Sequence, residues 1–275
     1  MLRGALFFCL LLIHGAVVHA APPSRIVSMN ICTDQLLLAL VPPARIASLS
    51  YLSANPDYSP VAAQAARLPL NRGQAEEILG FEPDLILTSQ FSAAYTANLL
   101  QRLGYMVHRF GFASDVDGIV EQIDTLGALT GTENAASQLA SHIRTEAAAS
   151  SARLQPLLAG ERAVFLSNNG FVQGAGTLQD AFLASLGMVN VASEGGLHGP
   201  APLALETLLA LAPSVIFVPR ASSLDTQFAH PLLAHPLWQR LAPQVRRVAL
   251  DERWFDCAGP SLLQAYTALE RQLLP

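Results

Sequence analysis

The sequence predicts an α/β fold of two Rossmann-like lobes, each with a central parallel sheet, joined by one long backbone helix. Three observations carry this prediction. Short apolar runs alternate with helical stretches, which is the pattern of parallel sheets with right-handed crossovers. An alanine-rich segment over residues 133–154 contains neither Gly nor Pro. Two similar α/β units flank that segment.

The predicted strands are short, apolar on both faces and often β-branched, as buried parallel strands are. They are Arg25–Met29, Arg45–Leu49, Leu85–Thr88, Met106–Arg109, Ala163–Ser167, Val215–Val218 and Val245–Leu250. The helical patterns between them are Asp34–Leu40, Gln74–Gly80, Tyr95–Leu103, Val116–Leu129, Leu178–Leu186, Leu203–Leu211 and Ser261–Leu273.

The alanine-rich segment predicts a helix from Glu133 to Leu154, which forms the interlobe unit over residues 132–156. Thr132 can cap its start, and Pro156 is expected to follow its end. The apolar stripe of this helix is thin, so the helix can lie across two lobes instead of within one core. The alternative is one more crossover helix in a single sheet.

An internal repeat favours two lobes over one sheet. Residues 76–87 and 206–217 both begin with Glu, run to an apolar helix end, reach Pro seven residues later and finish in an apolar strand. Each copy also follows a strand that begins with Arg. The predicted organisation is therefore an N-terminal lobe over residues 21–131, the interlobe helix over 132–156 and a C-terminal lobe over 157–275.

The first twenty residues predict a secretory signal peptide. Arg3 precedes an apolar run from Ala5 to Val18, and small residues place the cleavage after Ala20. The run is short for a membrane span, although a retained anchor is the alternative. Cleavage would leave a periplasmic protein that has been exported through the inner membrane.

Charge and motifs exclude several classes of function. The formal net charge is −5, and a mildly acidic chain is a poor ligand for nucleic acid. The sequence has no Gly-x-Ser-x-Gly elbow and no lysine for a phosphate-binding loop, which argues against an enzyme. The histidines after the predicted signal are scattered, so we expect no metal site.

Three stretches together resemble a known family. The opening Arg25–Asp34, the repeated Glu…Pro units and the closing Arg253–Pro260 are similar to the periplasmic substrate-binding proteins of cobalamin and ferric-siderophore ABC importers, class III, with a rigid interlobe helix. The resemblance covers residues 25–275 as one Fe/B12 periplasmic-binding domain. It implies a monomeric binding protein, without catalysis or a cofactor of its own, that captures a metal chelate between its lobes.

The same resemblance implies delivery of the chelate to an ABC permease dimer with its cytoplasmic ATPase. The chelate stays open between a corrinoid, a ferric siderophore and haem, because neither a tryptophan-rich pocket nor a basic cluster is evident. A sensor or an enzyme on the same fold is the alternative outside transport. In the family, one glutamate on each lobe docks onto arginines of the permease, and Glu76 and Glu206 match those positions. Asn71 is expected to cap the helix of Glu76, and Pro202 to start the helix of Glu206.

Ligands of such folds bind in the crevice beyond the carboxyl ends of the strands. Aromatic faces there would suit a flat chelate. The residues expected at this rim are Asn30, Ile31, Cys32, Tyr51, Phe91, Phe171, His198, Trp254, Phe255, Asp256 and Cys257.

Two cysteines, Cys32 and Cys257, remain after the predicted cleavage, in an oxidising compartment. Both are expected in loops that face the cleft, one from each lobe. They can form a disulfide, contact the chelated metal through sulfur, or stay as two separate buried thiols.

Overall fold

A computed structural model describes residues 21–167, 170–220, 236 and 244–274 of the chain, and the predicted signal peptide lies outside these residues. The described strands are β1 (Ile26–Ser28), β2 (Ile46–Ser50), β3 (Leu70–Asn71), β4 (Leu85–Ser89), β5 (Val107–Phe110), β6 (Arg162–Phe165), β7 (Phe171–Gln173), β8 (Val189–Asn190), β9 (Pro200–Pro202), β10 (Val215–Pro219) and β11 (Arg246–Leu250). The described α-helices are α1 (Ile31–Leu40), α2 (Ala62–Ala65), α3 (Ala75–Gly80), α4 (Ala94–Arg102), α5 (Val116–Thr130), α6 (Glu133–Leu158), α7 (Leu178–Ser185), α8 (Val191–Glu194), α9 (Leu205–Leu211) and α10 (Leu262–Leu273).

The first sheet has five parallel strands in the order β3-β2-β1-β4-β5. Strand β1 is central, with Ile26 beside Ile46 of β2 and Leu85 of β4. Side chains of α1 and α5 pack on one face of this sheet, and those of α3 and α4 pack on the other. Burial on both faces explains why these strands read as uninterrupted apolar runs.

The second sheet is separate and has the parallel order β11-β10-β6-β8. A short antiparallel pair, β7 and β9, adds to this half of the molecule. Its core is aromatic, with the rings of Phe165 and Phe217 stacked at 4.5 Å. Two parallel sheets confirm the predicted two-lobe fold, and the single-sheet alternative is wrong.

Helix α6 joins the two sheets and packs against α5 of the first lobe and α10 of the second. Its 26 residues would span about 39 Å. Small residues allow the close approach to α5, since a Cβ placed on Gly127 would lie 2.5 Å from the Cβ of Ala136. The ion pair of Arg153 with Glu270, at 2.7 Å, ties the other half of α6 to α10. The thin alanine stripe is therefore a close-packing surface.

Two details of the predicted helix are wrong. Pro156 lies inside α6, which continues to Leu158; the ring fixes φ near the helical value, and its missing N–H removes one hydrogen bond from the last turns. The side chain of Thr132 makes no capping bond to the helix. Its hydroxyl instead lies 2.8 Å from the hydroxyl of Thr130 in the preceding turn.

Within the described residues, no helix combines the length and the apolar character that crossing a bilayer requires.

Candidate ligand-binding cleft

Two pockets lie beyond the carboxyl ends of the strands of the first sheet. We call the first the aromatic pocket, and its lining includes Leu36, Phe91, Phe110, Phe112 and Asp256. We call the second the arginine pocket, and its lining includes Ile31, Tyr51, Arg72, Gly73 and Thr96. Asn30 and Ser92 line both pockets and so mark the boundary between them.

The aromatic pocket presents two exposed rings side by side. The centroids of Phe91 and Phe112 lie 5.0 Å apart, and the ring planes differ by 35°. The two residues are 68% and 74% exposed. The two rings meet because β4 and β5 are neighbours that end side by side. Ser89 at the end of β4 is in register with Phe110 at the end of β5, and each ring follows its strand by two residues. Exposed apolar rings that lie together in a cleft are typical of a binding surface and unusual on an ordinary protein exterior.

The arginine pocket combines a cation with an aromatic ring. The guanidinium carbon of Arg72 lies 5.7 Å from the centroid of the Tyr51 ring, which is cation–π geometry. Arg72 follows β3, and Tyr51 follows the neighbouring β2. No ion pair joins Arg72 to any residue that the structure describes.

Asn30 is held in place by both ends of its amide. Its oxygen accepts from the backbone N–H groups of Cys32, at 2.9 Å, and Thr33, and so caps α1. Its nitrogen donates to the hydroxyl of Ser92 at 2.8 Å. Asn30 therefore forms a fixed ridge between the two pockets, although the sequence predicted it only as a rim residue.

The turn that carries Tyr51 is anchored from below by Asp34. One carboxylate oxygen of Asp34 accepts from the Ser50 N–H, at 3.0 Å, and from the hydroxyl of Ser53. The other oxygen is buried without a hydrogen-bond partner among the described residues. Burial raises the pKa of Asp34 to about 8, against which the hydroxyls of Ser28 and Ser53 and the Ser50 N–H act. The carboxyl group therefore ionises much less readily than an exposed aspartate.

The second lobe reaches the aromatic pocket through the loop after β11. Cys257 in this loop forms a disulfide with Cys32 of α1, with Cα atoms 4.8 Å apart. Arg253 in the same loop donates to the Pro56 carbonyl of the first lobe and pairs with Asp251. A covalent bond and a hydrogen bond thus connect the lobes at one end of the cleft, in addition to α6.

Asp256 brings a carboxyl group to the aromatic pocket. The residue is exposed, but protein atoms lie close around its carboxyl group. This desolvation raises the pKa of Asp256 to about 6; repulsion from Asp251 adds to the rise, and attraction to Arg253 opposes it.

Four of the predicted rim residues line neither pocket. Phe255 is 5% exposed and packs against Phe165 and Phe182, so its assignment to the rim is wrong; a large ring next to an aromatic core gains more by burial. Trp254 packs partly buried against the main core. Phe171, in β7, and His198 are exposed but line neither pocket.

Phe112 was missed because the predicted strand ended at Arg109. The strand continues to Phe110, and Phe112 then follows it by two residues at the rim. The alternation Phe-Gly-Phe over residues 110–112, one ring buried and the next exposed, is the signal that could have shown it.

Glu76 and Glu206 are exposed and lie in the first turns of α3 and α9. Both predicted helix starts are wrong. The side-chain oxygen of Asn71 does not cap α3 but accepts from the Gly73 N–H at 3.0 Å. Its amide nitrogen donates to the carbonyls of Ser28 and Leu49, at 2.9 and 3.0 Å, because the strand ends buried there need a donor. Pro202 belongs to β9, and α9 begins at Leu205.

Two α/β lobes with a rigid connecting helix, and a pocketed cleft between facing rims, define a solute-binding protein. The chain matches the family model described as periplasmic binding protein over residues 26–247, and it belongs to that family. The family consists of binding proteins, not enzymes. Among the described residues, no three His, Cys, Asp or Glu side chains are grouped to hold a metal ion.

Curated and solved relatives agree with this assignment. A cobalamin-binding protein of Halobacterium salinarum strain R1 is 26% identical over 208 residues, which is 73% of this chain and 55% of that protein. The chain thus spans little more than half the length of the curated relatives that it matches.

Solved structures show the same fold. The periplasmic haem-binding protein RhuT of Roseiflexus sp. RS-1, in apo form, is 24% identical with a TM-score of 0.73, over 90% of this chain and 96% of RhuT. The periplasmic vitamin B12-binding protein BtuF of Vibrio cholerae is 19% identical with a TM-score of 0.68, over 93% of this chain and 100% of BtuF.

Proposed function

We propose that the chain is the exported solute-binding component of an ABC importer and captures a bulky metal chelate, a corrinoid or a ferric siderophore, in the interlobe cleft. The observation that carries the proposal is the exposed pair of Phe91 and Phe112 beneath the loop of the second lobe. An aromatic platform inside a cleft suits a large ligand with a flat apolar face. The names of the Halobacterium protein and of BtuF support a corrinoid.

Haem is the second candidate. The same ring pair would accept a flat porphyrin, and RhuT is a haem-binding protein. In each case we propose that Ile31, Tyr51, Phe91 and Asp256 contact the ligand beside the Cys32–Cys257 bond. Phe171 and His198 are proposed to contact it from the second lobe.

The test is a binding panel on residues 21–275. Cyanocobalamin, haemin, a ferric hydroxamate and a ferric catecholate are each titrated, with ultrafiltration and the absorbance of the chelate as readouts. We expect one chelate class to be retained at one molecule per chain. Retention of none of the four would refute the proposal.

We further propose that Glu76 and Glu206 dock the protein on the permease. Each is an exposed carboxylate in the first turn of a helix, one on each lobe, which together form a two-point contact for a dimeric partner. Surface ion pairs contribute only about 0.2–1 kcal/mol each, so these would set orientation more than affinity.

Charge reversal tests the docking proposal. Glu76→Arg with Glu206→Arg should leave chelate binding unchanged and abolish uptake in cells that depend on this protein. Glu121→Arg with Glu146→Arg, at exposed positions on α5 and α6, is the matched control and should transport normally. Normal uptake by the first pair would remove the docking role.

Export is proposed with the same function. Residues 1–20 would direct the chain across the inner membrane and be removed after Ala20. N-terminal sequencing of the periplasmic protein should begin at Ala21, and a first residue of Met1 in a membrane fraction would show a retained anchor instead.

A further inference from the structure

The two pockets of the cleft differ in chemistry. The lining of the aromatic pocket is mostly apolar, and its one charged side chain among the described residues is Asp256. The one charged side chain in the described lining of the arginine pocket is Arg72. A ligand that covers both pockets therefore meets an acidic group at one end and a cation at the other.

The boundary between the pockets is fixed, which keeps these two environments apart. Asn30 is bonded to Ser92 on one side and caps α1 on the other. The floor of the arginine pocket is fixed as well, because Asp34 holds the turn of Tyr51 from inside the core. The pockets are therefore preorganised, and binding need not order them first.

Arg72 is placed to receive an anion. Its guanidinium stacks on Tyr51 and has no carboxylate partner in the described chain, so its N–H groups remain available. Its own backbone N–H is already bonded to Glu77, at 2.6 Å, which fixes the start of the side chain. An arginine of this kind binds a carboxylate or phosphate through two parallel hydrogen bonds.

We infer that Arg72 is the specificity-determining residue for an anionic arm of the ligand, whose flat apolar body occupies the aromatic pocket. This inference rests on the proposed function and narrows it. The chelate would be a metal tetrapyrrole that carries a carboxylate or phosphate side arm. The arm would point toward Arg72 and away from Asp256, because the latter would repel it.

Two pairs of probes test this inference. Iron protoporphyrin IX is compared with its dimethyl ester, which keeps the ring and masks both carboxylates. Cobalamin is compared with cobinamide, which keeps the corrin ring and lacks the phosphodiester. Each probe is titrated into the wild-type protein, Arg72→Ala, Arg72→Lys and the control Arg67→Ala, which changes an exposed arginine outside both pockets.

We expect the wild-type protein to prefer the anionic member of the pair that it binds by about tenfold or more, as a charge-assisted hydrogen bond does. Arg72→Ala should lose this preference while its affinity for the member without the anionic group stays within about twofold, a result that a folding defect would not produce. Arg72→Lys should keep part of the preference, and Arg67→Ala all of it.

The outcomes separate the inference from the proposed function. Equal discrimination by the wild-type protein and Arg72→Ala would overturn the inference and leave chelate binding intact. Binding of neither ring, with retention of a ferric siderophore, would also overturn it while the proposed function stands. Only the failure of every chelate would remove both.

Discussion

Breaking the disulfide between the lobes should cost the protein much of its stability. Cys32 and Cys257 are 225 residues apart, so their bond closes a loop that contains most of both lobes. Closing a loop of this length removes conformational entropy from the unfolded chain worth about 5 kcal/mol at 25 °C. Native domains are stable by only about 5–15 kcal/mol, so the effect is large.

The perturbation is the double substitution Cys32→Ala with Cys257→Ala. The free energy of unfolding is measured from urea titrations followed by far-UV circular dichroism. We expect the variant to lose about 3–5 kcal/mol, since measured effects of disulfides usually fall below the entropy value. Wild-type protein in excess reductant is the control for the lost sulfur atoms, because it keeps both side chains and lacks only the bond.

Reduced wild-type protein should have the same free energy of unfolding as the variant. Addition of reductant should leave the free energy of unfolding of the variant unchanged. The reasoning is refuted if oxidised wild-type protein and the variant unfold at the same urea concentration with the same slope. It is also refuted if thiol labelling of the unfolded, unreduced protein finds both cysteines free.

Three further predictions concern other parts of the molecule. Asp34→Asn should stabilise the protein at pH 8. The Asp34 carboxyl has a folded pKa of about 8 and an unfolded pKa near 3.8, so it makes folding less favourable by about 1.4 kcal/mol for each pH unit between these values. In urea titrations at pH 4, 6 and 8, the difference in free energy of unfolding between the variant and the wild type should widen as the pH rises. Phe91→Ala with Phe112→Ala should weaken binding of the retained chelate about tenfold or more without changing the melting temperature, as titration and calorimetry would show. Gly127→Ala should destabilise the protein by about 1–3 kcal/mol by crowding α6, whereas Gly80→Ala, with open space around the added methyl group, should be neutral or stabilising in the same melts.

The two-lobe fold could be predicted because its signals are local and repeated. Seven apolar strands, a Pro-free alanine segment and the Glu…Pro units were all visible in the chain. Strands β3 and β8 have only two residues each, too few for a periodic pattern, and were missed.

The site was harder to predict because its residues meet only in three dimensions. Phe91 and Phe112 are brought together by the register of β4 and β5, which no local pattern encodes. The prediction that Phe255 lies at the rim was wrong because an aromatic core lies next to it, and the ring is buried there against Phe182. The side chain of Asn71 likewise donates to a carbonyl at a buried strand end instead of capping a helix.

The connections between the lobes bear on how far the cleft can open. Helix α6 and the Cys32–Cys257 bond hold the lobes at separate places, so opening would be a small rotation about these anchors more than a wide separation. A preformed cleft of this kind suits a rigid chelate, because little ordering is needed on binding.

The most direct test of the central claim is to locate the metal in crystals of the complex. Anomalous scattering at the iron or cobalt absorption edge gives the metal position independently of the rest of the ligand. We predict one peak per chain, in the cleft between the rings of Phe91 and Phe112 and the loop of the second lobe. A peak on the outer surface of either lobe, at full occupancy and with the cleft empty, would contradict the account.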